Sequence, residues 1–147
     1  MQYSILNAKN SLPSTEELVE LYDAVGWSAY TRTPERLVPM LAGSRYLYVA
    51  RKNTAEGAER LIGLVRAVGD GQTIAYIQDL LVHPQAQRHG IGSALLGKII
   101  ADFDRESIRQ RFITTDIVDT PVIELYQRFG FTPVQDNGCV TLAKYVF

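Results

Sequence analysis

A single cysteine, Cys139, stands in the 147-residue sequence, so no internal disulfide can form and a reducing compartment, the cytoplasm, is expected. With no His–acid partner beside it in a late apolar stretch, it reads as a buried, inert thiol. Long apolar runs are missing too: nothing approaches the roughly 18 residues that would span a bilayer. The opening Met1-Gln2-Tyr3-Ser4 lacks the basic-then-apolar form of a secretion signal. Nor does one sign of charge prevail. The 15 basic side chains face 16 acidic ones, a net charge of −1, which removes any global attraction to nucleic acid or an anionic membrane. No His, Cys, Asp or Glu cluster has metal-ligand spacing, so no metal is expected. No repeat, linker or low-complexity tract divides the chain, and one domain over residues 1–147 is expected. The chemistry must come from ordinary side chains and an organic co-substrate.

What is present centres on Ile77-Gln78-Asp79-Leu80-Leu81-Val82-His83-Pro84 and the stretch from Gln85 to Leu96. The first run is apolar and β-branched enough for a buried strand, which Pro84 ends. Leu95, Ile99 and Phe103 then recur every fourth position, with Leu96 and Ile100 beside them, and predict a helix from Gly92 to about Ser107. Between the two lies a loop with Gly90 and Gly92, where backbone can approach a ligand without a Cβ in the way. Unpaired N–H groups at the helix start, the positive end of its dipole and the charge of Arg88 suit a phosphate or pyrophosphate. A nucleoside-triphosphate loop of the form G-x-x-x-x-G-K-S/T is absent. A dinucleotide G-x-G-x-x-G fails at Leu95.

Elsewhere the pattern alternates between helix and strand. Tyr3 to Leu6 reads as a strand, and Ser14 with Glu17 as a capping box for a helix carrying Leu18, Leu21, Tyr22 and Val25 to a stop at Gly26. Trp27-Ser28-Ala29-Tyr30 reads as a loop, and a short helix follows from Pro34 or Glu35 to Ala42. Tyr46 to Ala50, Arg60 to Val68 and Thr73 to Val82 predict an antiparallel meander with a hairpin at Gly69-Asp70-Gly71-Gln72. After the central helix, Arg111 to Ile117 predicts a strand reached by a parallel crossover. Thr120-Pro121 starts a helix closed by Gly130, and Phe131 to Val134 and Cys139 to Val146 predict two last strands. The fold class is mixed α/β, order βααβββαβαββ, with a mostly antiparallel sheet of about seven strands and flanking helices.

Gln87-Arg88-His89-Gly90-Ile91-Gly92, read as Q/R-x-x-G-x-G/A after a strand ending in Val-x-Pro, resembles the acetyl-CoA loop of the GCN5-related N-acetyltransferases, the GNAT superfamily. Ile123 through Phe131, with Tyr126 four residues before Gly130-Phe131, is similar to the helix-to-strand element of the same family. Gly63 through Asp70, followed by Ile77-Gln78-Asp79, is also similar to the plastid arylalkylamine (serotonin) acetyltransferase subgroup.

The resemblance implies that backbone at Leu80, Leu81 and Val82 pairs with the pantetheine arm of acetyl-CoA like an added strand, with an amide near Leu81 polarising the thioester carbonyl. It implies that Gln87, Arg88, His89, Gly90, Ile91, Gly92 and Ser93 hold the pyrophosphate. Tyr126 matches the position that approaches the CoA sulfur and protonates the departing thiolate. Asp119 stands where relatives often have an Asn that touches CoA, and Val122 where a small Ala is common. Where many relatives carry a Glu on the strand before the loop, this chain has Gln78, which cannot accept a proton; Asp79 beside it is the carboxylate candidate for a base, acting through water. Trp27 and Tyr30 are candidates for the wall of an acceptor pocket.

The expected activity is acetyl transfer from acetyl-CoA to a small-molecule primary amine by direct attack in a ternary complex, since no activated nucleophile is visible. Two rivals stand beside it: acetylation of a protein N-terminus or lysine, and acyl-CoA binding without turnover. A homodimer is common in the family.

Overall fold

Alternation of side chains across the strands decides which helix covers which face of the sheet. The computed structural model describes residues 1–146 and divides into two compact units, residues 1–114 and a second beginning at Thr115. In the first unit, strands β1 (Ser4–Asn7), β2 (Tyr46–Asn53), β3 (Glu59–Gly69), β4 (Ile74–Val82) and β5 (Gln110–Ile113) lie side by side in chain order. The first four pair antiparallel and β5 runs parallel to β4, as the meander and the crossover predict. The hairpin between β3 and β4 is held by Asp70, whose carboxylate accepts the N–H groups of Gln72, Thr73 and Ile74 and the Thr73 hydroxyl.

On one face lie α1 (Thr15–Ala24) and α3 (Leu37–Ala42), whose Leu18, Leu21, Leu37 and Leu41 pack with Leu47, Val49, Leu61, Leu64 and Leu81 of the strands. Each such side chain, fully buried, contributes roughly 1.5–3 kcal/mol. The alternate residues of β2 face α4 (Ile91–Arg105): Tyr46 meets Phe103 edge-on at 4.9 Å, and the Tyr48 hydroxyl donates to Asp102 at 2.8 Å. Gly63 keeps this layer close, since a Cβ there would stand 3.1 Å from the Leu81 carbonyl oxygen and 3.3 Å from Leu95 Cδ1. The capping box at Ser14 and Glu17 forms at the start of α1. No helix among the described residues is long and apolar enough to cross a membrane.

The ends of α1 and of α5 (Thr120–Arg128), the helix of the second unit, share one motif. Gly26 and Gly130 take φ of +81° and +92°, a backbone that a Cβ disfavours. That turn sends the amide of Trp27 back to the Tyr22 carbonyl at 3.0 Å and the amide of Phe131 back to the Tyr126 carbonyl at 3.1 Å. The aromatic pairs Tyr22–Trp27 and Tyr126–Phe131 then sit 6.0 Å and 6.3 Å apart, ring centre to ring centre. The Tyr-x-x-x-Gly-aromatic spacing is a helix-closing device used twice.

Three expectations are corrected. Residues Ser28–Thr31 wind into a helical turn, α2, where a loop was expected, because Tyr22–Trp27 packing and the reversal at Gly26 bring the chain back against α1. The sheet has five strands, not seven. Pro133 brings no ladder N–H, Val134–Asn137 winds into a 3-10 turn, and Cys139 to Val146 is irregular. β-Branched composition favours extended backbone, but a strand exists only where a neighbour supplies its ladder, and none does so among the described residues. Cys139 is exposed rather than buried for the same reason, and Leu142 in that stretch is 86% exposed.

Candidate active site

The loop between β4 and α4 is rich in donors and poor in acceptors. His83 donates its N–H to the Ile62 carbonyl at 2.8 Å and accepts the amide of Gln85 on Nδ1, which starts a short 3-10 turn, Pro84–Ala86. The Gln87 side-chain amide donates to the Val82 carbonyl at 3.1 Å and ties the loop to the strand it leaves. Arg88 and Gly90 then adopt φ of +65° and +77°, and α4 begins at Ile91 with no side-chain cap. The first helical bond runs from Ala94 to the Gly90 carbonyl, so the amides of Gly90 to Ser93 find no acceptor among the described residues. Ile91 is buried and anchors the loop to the core, while Arg88, His89 and Ser93 are exposed beside it. Four successive unpaired N–H groups, a helix N-terminus and an arginine make an anion cradle.

The strand leading into the cradle is open on one side. β4 pairs with β5 from Ile74 to Ile77 only, whereas its pairing with β3 continues to Val82. At the point of divergence Arg66 faces Asp79 and Ala67 faces Ile77, so Gln78 is an extra, bulged residue. Side chains and amides alternate along a strand. His83 turns its N–H to β3, and so does Leu81, leaving both backbone groups of Leu80 and the N–H of Val82 for the open edge, while the Val82 carbonyl is taken by Gln87. The amide near Leu81 that meets a ligand there belongs to one of those neighbours.

Beside the bulge, distant parts of the sequence meet. Asp79, 2% exposed, accepts the Arg66 Nε–H at 2.5 Å and the Tyr22 hydroxyl at 2.8 Å on Oδ2, and the Tyr30 hydroxyl at 2.7 Å on Oδ1. Arg66 also donates to Ser44 Oγ at 3.4 Å. Burial, then the Asp79 carboxylate, raises the phenol pKa of both Tyr22 and Tyr30. Burial works against the Arg66 charge, yet Asp79 more than offsets it and holds the guanidinium above its ordinary value. Trp27 stacks on Tyr30 at 6.1 Å with 30° between ring planes, and is 36% exposed. Three sequence candidates, Asp79, Trp27 and Tyr30, therefore share one place. Tyr22 and Arg66 were missed. Tyr22 reads as one more apolar-face residue of α1; Arg66, a lone charge inside an apolar run, carried a usable signal, because a charge in a buried strand needs a partner.

In the second unit Tyr126 is 7% exposed, and its hydroxyl has no hydrogen-bond partner among the described residues while not being sealed from solvent. Burial, and after it the nearby Asp119 charge, pushes its pKa up to about 12. Asp119 sits at the start of α5 without capping it.

The Acetyltransferase (GNAT) family model matches residues 12–131. The chain belongs to this family. The uncharacterized N-acetyltransferase ycf52 of Gracilaria tenuistipitata var. liui is 30% identical over 128 residues, covering 87% of this chain and 67% of its own length. Histone acetyltransferase TAP1 of Glycine max is 34% identical over 121 residues, covering 78% and 50%. The likeness to the serotonin subgroup holds as well: serotonin N-acetyltransferase 2, chloroplastic, of rice is 27% identical over 114 residues, covering 78% and 54%. The chain thus spans between half and two thirds of the length of these relatives. Among solved structures, the GNAT family protein SP0256 of Streptococcus pneumoniae superposes with a TM-score of 0.78 at 29% identity, covering 99% of this chain and 98% of its own.

GNAT acetyltransferases take their acetyl group from acetyl-CoA. The residues present fit that molecule. Its pyrophosphate needs N–H donors, which Gly90 to Ser93 offer, and its pantetheine amides need an open strand edge, which Leu80 and the Val82 N–H offer.

Proposed function

We propose that this chain transfers acetyl from acetyl-CoA to the primary amine of a small aromatic molecule by direct attack in a ternary complex. The observation that carries the reading is the run of acceptor-less amides from Gly90 to Ser93, just past the end of a strand whose outer edge is open. Bound acetyl-CoA supplies an acetyl thioester; an amine N–C bond forms as the C–S bond breaks. The outward amides of Leu80 and Val82 polarise the acetyl carbonyl. Tyr126, neutral at working pH, donates its proton to the departing sulfur, a role assigned from the family motif and supported by its unpartnered hydroxyl. Asp79 has both oxygens occupied by donors, so it contributes through Tyr30 and Arg66 while the amine gives its own proton to solvent.

Trp27 and Tyr30 form the aromatic side of the acceptor site, and the serotonin-directed relative supports that choice of amine. Since one family model runs from the first unit into the second, we read residues 1–147 as one working domain. The lone cysteine is the ground for placing it in a reducing cytoplasm, and the family's habit the ground for a homodimer. The histone-directed relative favours a second reading, a protein lysine acceptor.

The test is acetyl-CoA-dependent thiol release across arylalkylamines, polyamines, amino sugars, amino acids and a lysine peptide. Turnover confined to arylalkylamines supports the first reading, and turnover on the peptide alone supports the second. Acetyl-CoA binding with no turnover on any acceptor would leave a binding module and refute both.

A further inference from the structure

The Arg66–Asp79 pair is costly to keep. Both groups are removed from water, and a buried ion pair is often no more stabilising than apolar residues of the same volume. Its place in the fold shows what it does instead. Arg66 and Asp79 face each other across the β3–β4 ladder at the residue where β4 bulges and leaves β5. Asp79 Oδ1 holds the hydroxyl of Tyr30, whose ring is one side of the Trp27–Tyr30 stack. Its other oxygen is occupied by Tyr22 and Arg66. Arg66 reaches Ser44, and Ser44 donates to the Met40 carbonyl at 2.9 Å, so the end of α3 is fastened to the same point.

We propose that Arg66 and Tyr22 are positioning residues for the acetyl acceptor: they fix Asp79 so that it holds Tyr30 and the Gln78 bulge in the geometry the amine meets. The inference rests on the reading that Trp27 and Tyr30 line the acceptor site. Apolar side chains could fill the same volume, but none could hold a phenol hydroxyl at a fixed point. Loss of the network therefore loosens the aromatic wall and leaves the amide cradle untouched, because the cradle shares no hydrogen bond with it. The signature is a split between the two substrates: acceptor KM rises and acetyl-CoA affinity stays.

The test uses the full chain with Arg66→Met and Asp79→Leu combined, which removes both charges and leaves neither one buried alone. The variant should melt several degrees below wild type, because the buried Tyr22 hydroxyl loses its partner, and should bind acetyl-CoA equally well. Its KM for an arylalkylamine should rise about tenfold, the worth of a hydrogen bond to a charged group, and its preference for aryl over alkyl amines should shrink. Trp27 is the sole tryptophan, so its emission reports amine binding without turnover and should show the same weakening. Unchanged acceptor KM and preference would overturn the proposal. Should the double variant fail to fold, Tyr22→Phe removes a single oxygen and preserves the ring; an arylalkylamine KM raised at least threefold supports the proposal, and a wild-type KM overturns it. If the wild-type protein itself shows no change in Trp27 emission with any arylalkylamine, the acceptor reading falls and the inference with it.

Discussion

Replacing Tyr126 by Phe deletes one oxygen from a ring that packs edge-on against Phe131, so the fold of α5 should survive and the chemistry should not. The size of the loss follows from the phenol's surroundings. Its pKa of about 12 stands well above the ~8.5 of a free thiol, so full proton transfer to sulfur is uphill by roughly 3.5 units, or about 5 kcal/mol. The phenol then acts by donating a hydrogen bond to growing negative charge, with the proton moving late. That places the effect at the lower end of the ~10²–10⁴ range for general acids, a loss of about 100-fold in kcat. Acetyl-CoA affinity should not change, since the cradle amides belong to other residues. The assay is thiol release at saturating amine, with acetyl-CoA binding measured by calorimetry. The sign of the pH dependence is fixed as well. A donor works while protonated, hence below its pKa, and activity is lost as pH rises through about 12. The wild type should show no alkaline fall in kcat below about pH 11. A Tyr126→Phe enzyme within threefold of wild type would refute the role, and an alkaline limb centred near the ordinary ~10 of a phenol would refute the upward shift.

Other perturbations isolate other parts. Ser107 closes α4 with φ of +57°, so Ser107→Gly should relieve the strain and raise stability by about 0.5–1 kcal/mol, seen as a Tm increase of about 1–3 °C. Arg88→Gly removes a left-handed non-glycine residue and a positive charge together: Tm should hold or rise, while acetyl-CoA binding weakens several-fold and loses part of its salt dependence. Asp70 is held below the usual carboxylate range, first by the Thr73 amide and then by the Thr73 hydroxyl and its other turn donors. Its stabilisation is present above the unfolded value of 3.8 and is lost as pH falls below it, so the Tm gap between wild type and Asp70→Ala should be widest near neutral pH and narrow in acid.

How much the sequence revealed depended on how local the cause was. The capping box, the hairpin at Asp70 and the glycine stops act over a few residues and were legible. So was the strand–loop–helix, because Pro84, the two glycines and the fourfold spacing from Leu95 lie within 20 residues of one another. The contacts of Asp79 were not: its partners lie 13, 49 and 57 residues away, and nothing in a linear reading brings Tyr22 and Tyr30 to the same carboxylate. Read along the chain, Asp79 offers a carboxylate, and the hydroxyls that donate to it are out of sight. The last two strands failed for the opposite reason. Residues 139–146 carry β-branched and aromatic side chains, a local preference that decides backbone shape but supplies no ladder partner.

The bulge at Gln78 has a counterpart on the other ladder of β3. Ala50 faces Gly63 and Arg51 faces Leu61, so Ile62 is an extra residue there. Each ladder thus carries a fixed misfit, and a strand cannot slide by one place without dragging the misfit past buried neighbours. Inserted or deleted residues in the turns at 54–58 and 70–73 would have to be absorbed where they occur. The exposed tip at 55–58 is therefore the place to splice a tag, a linker or a foreign peptide into the chain, since a change of length there would not be transmitted to the strand edge beside the cradle.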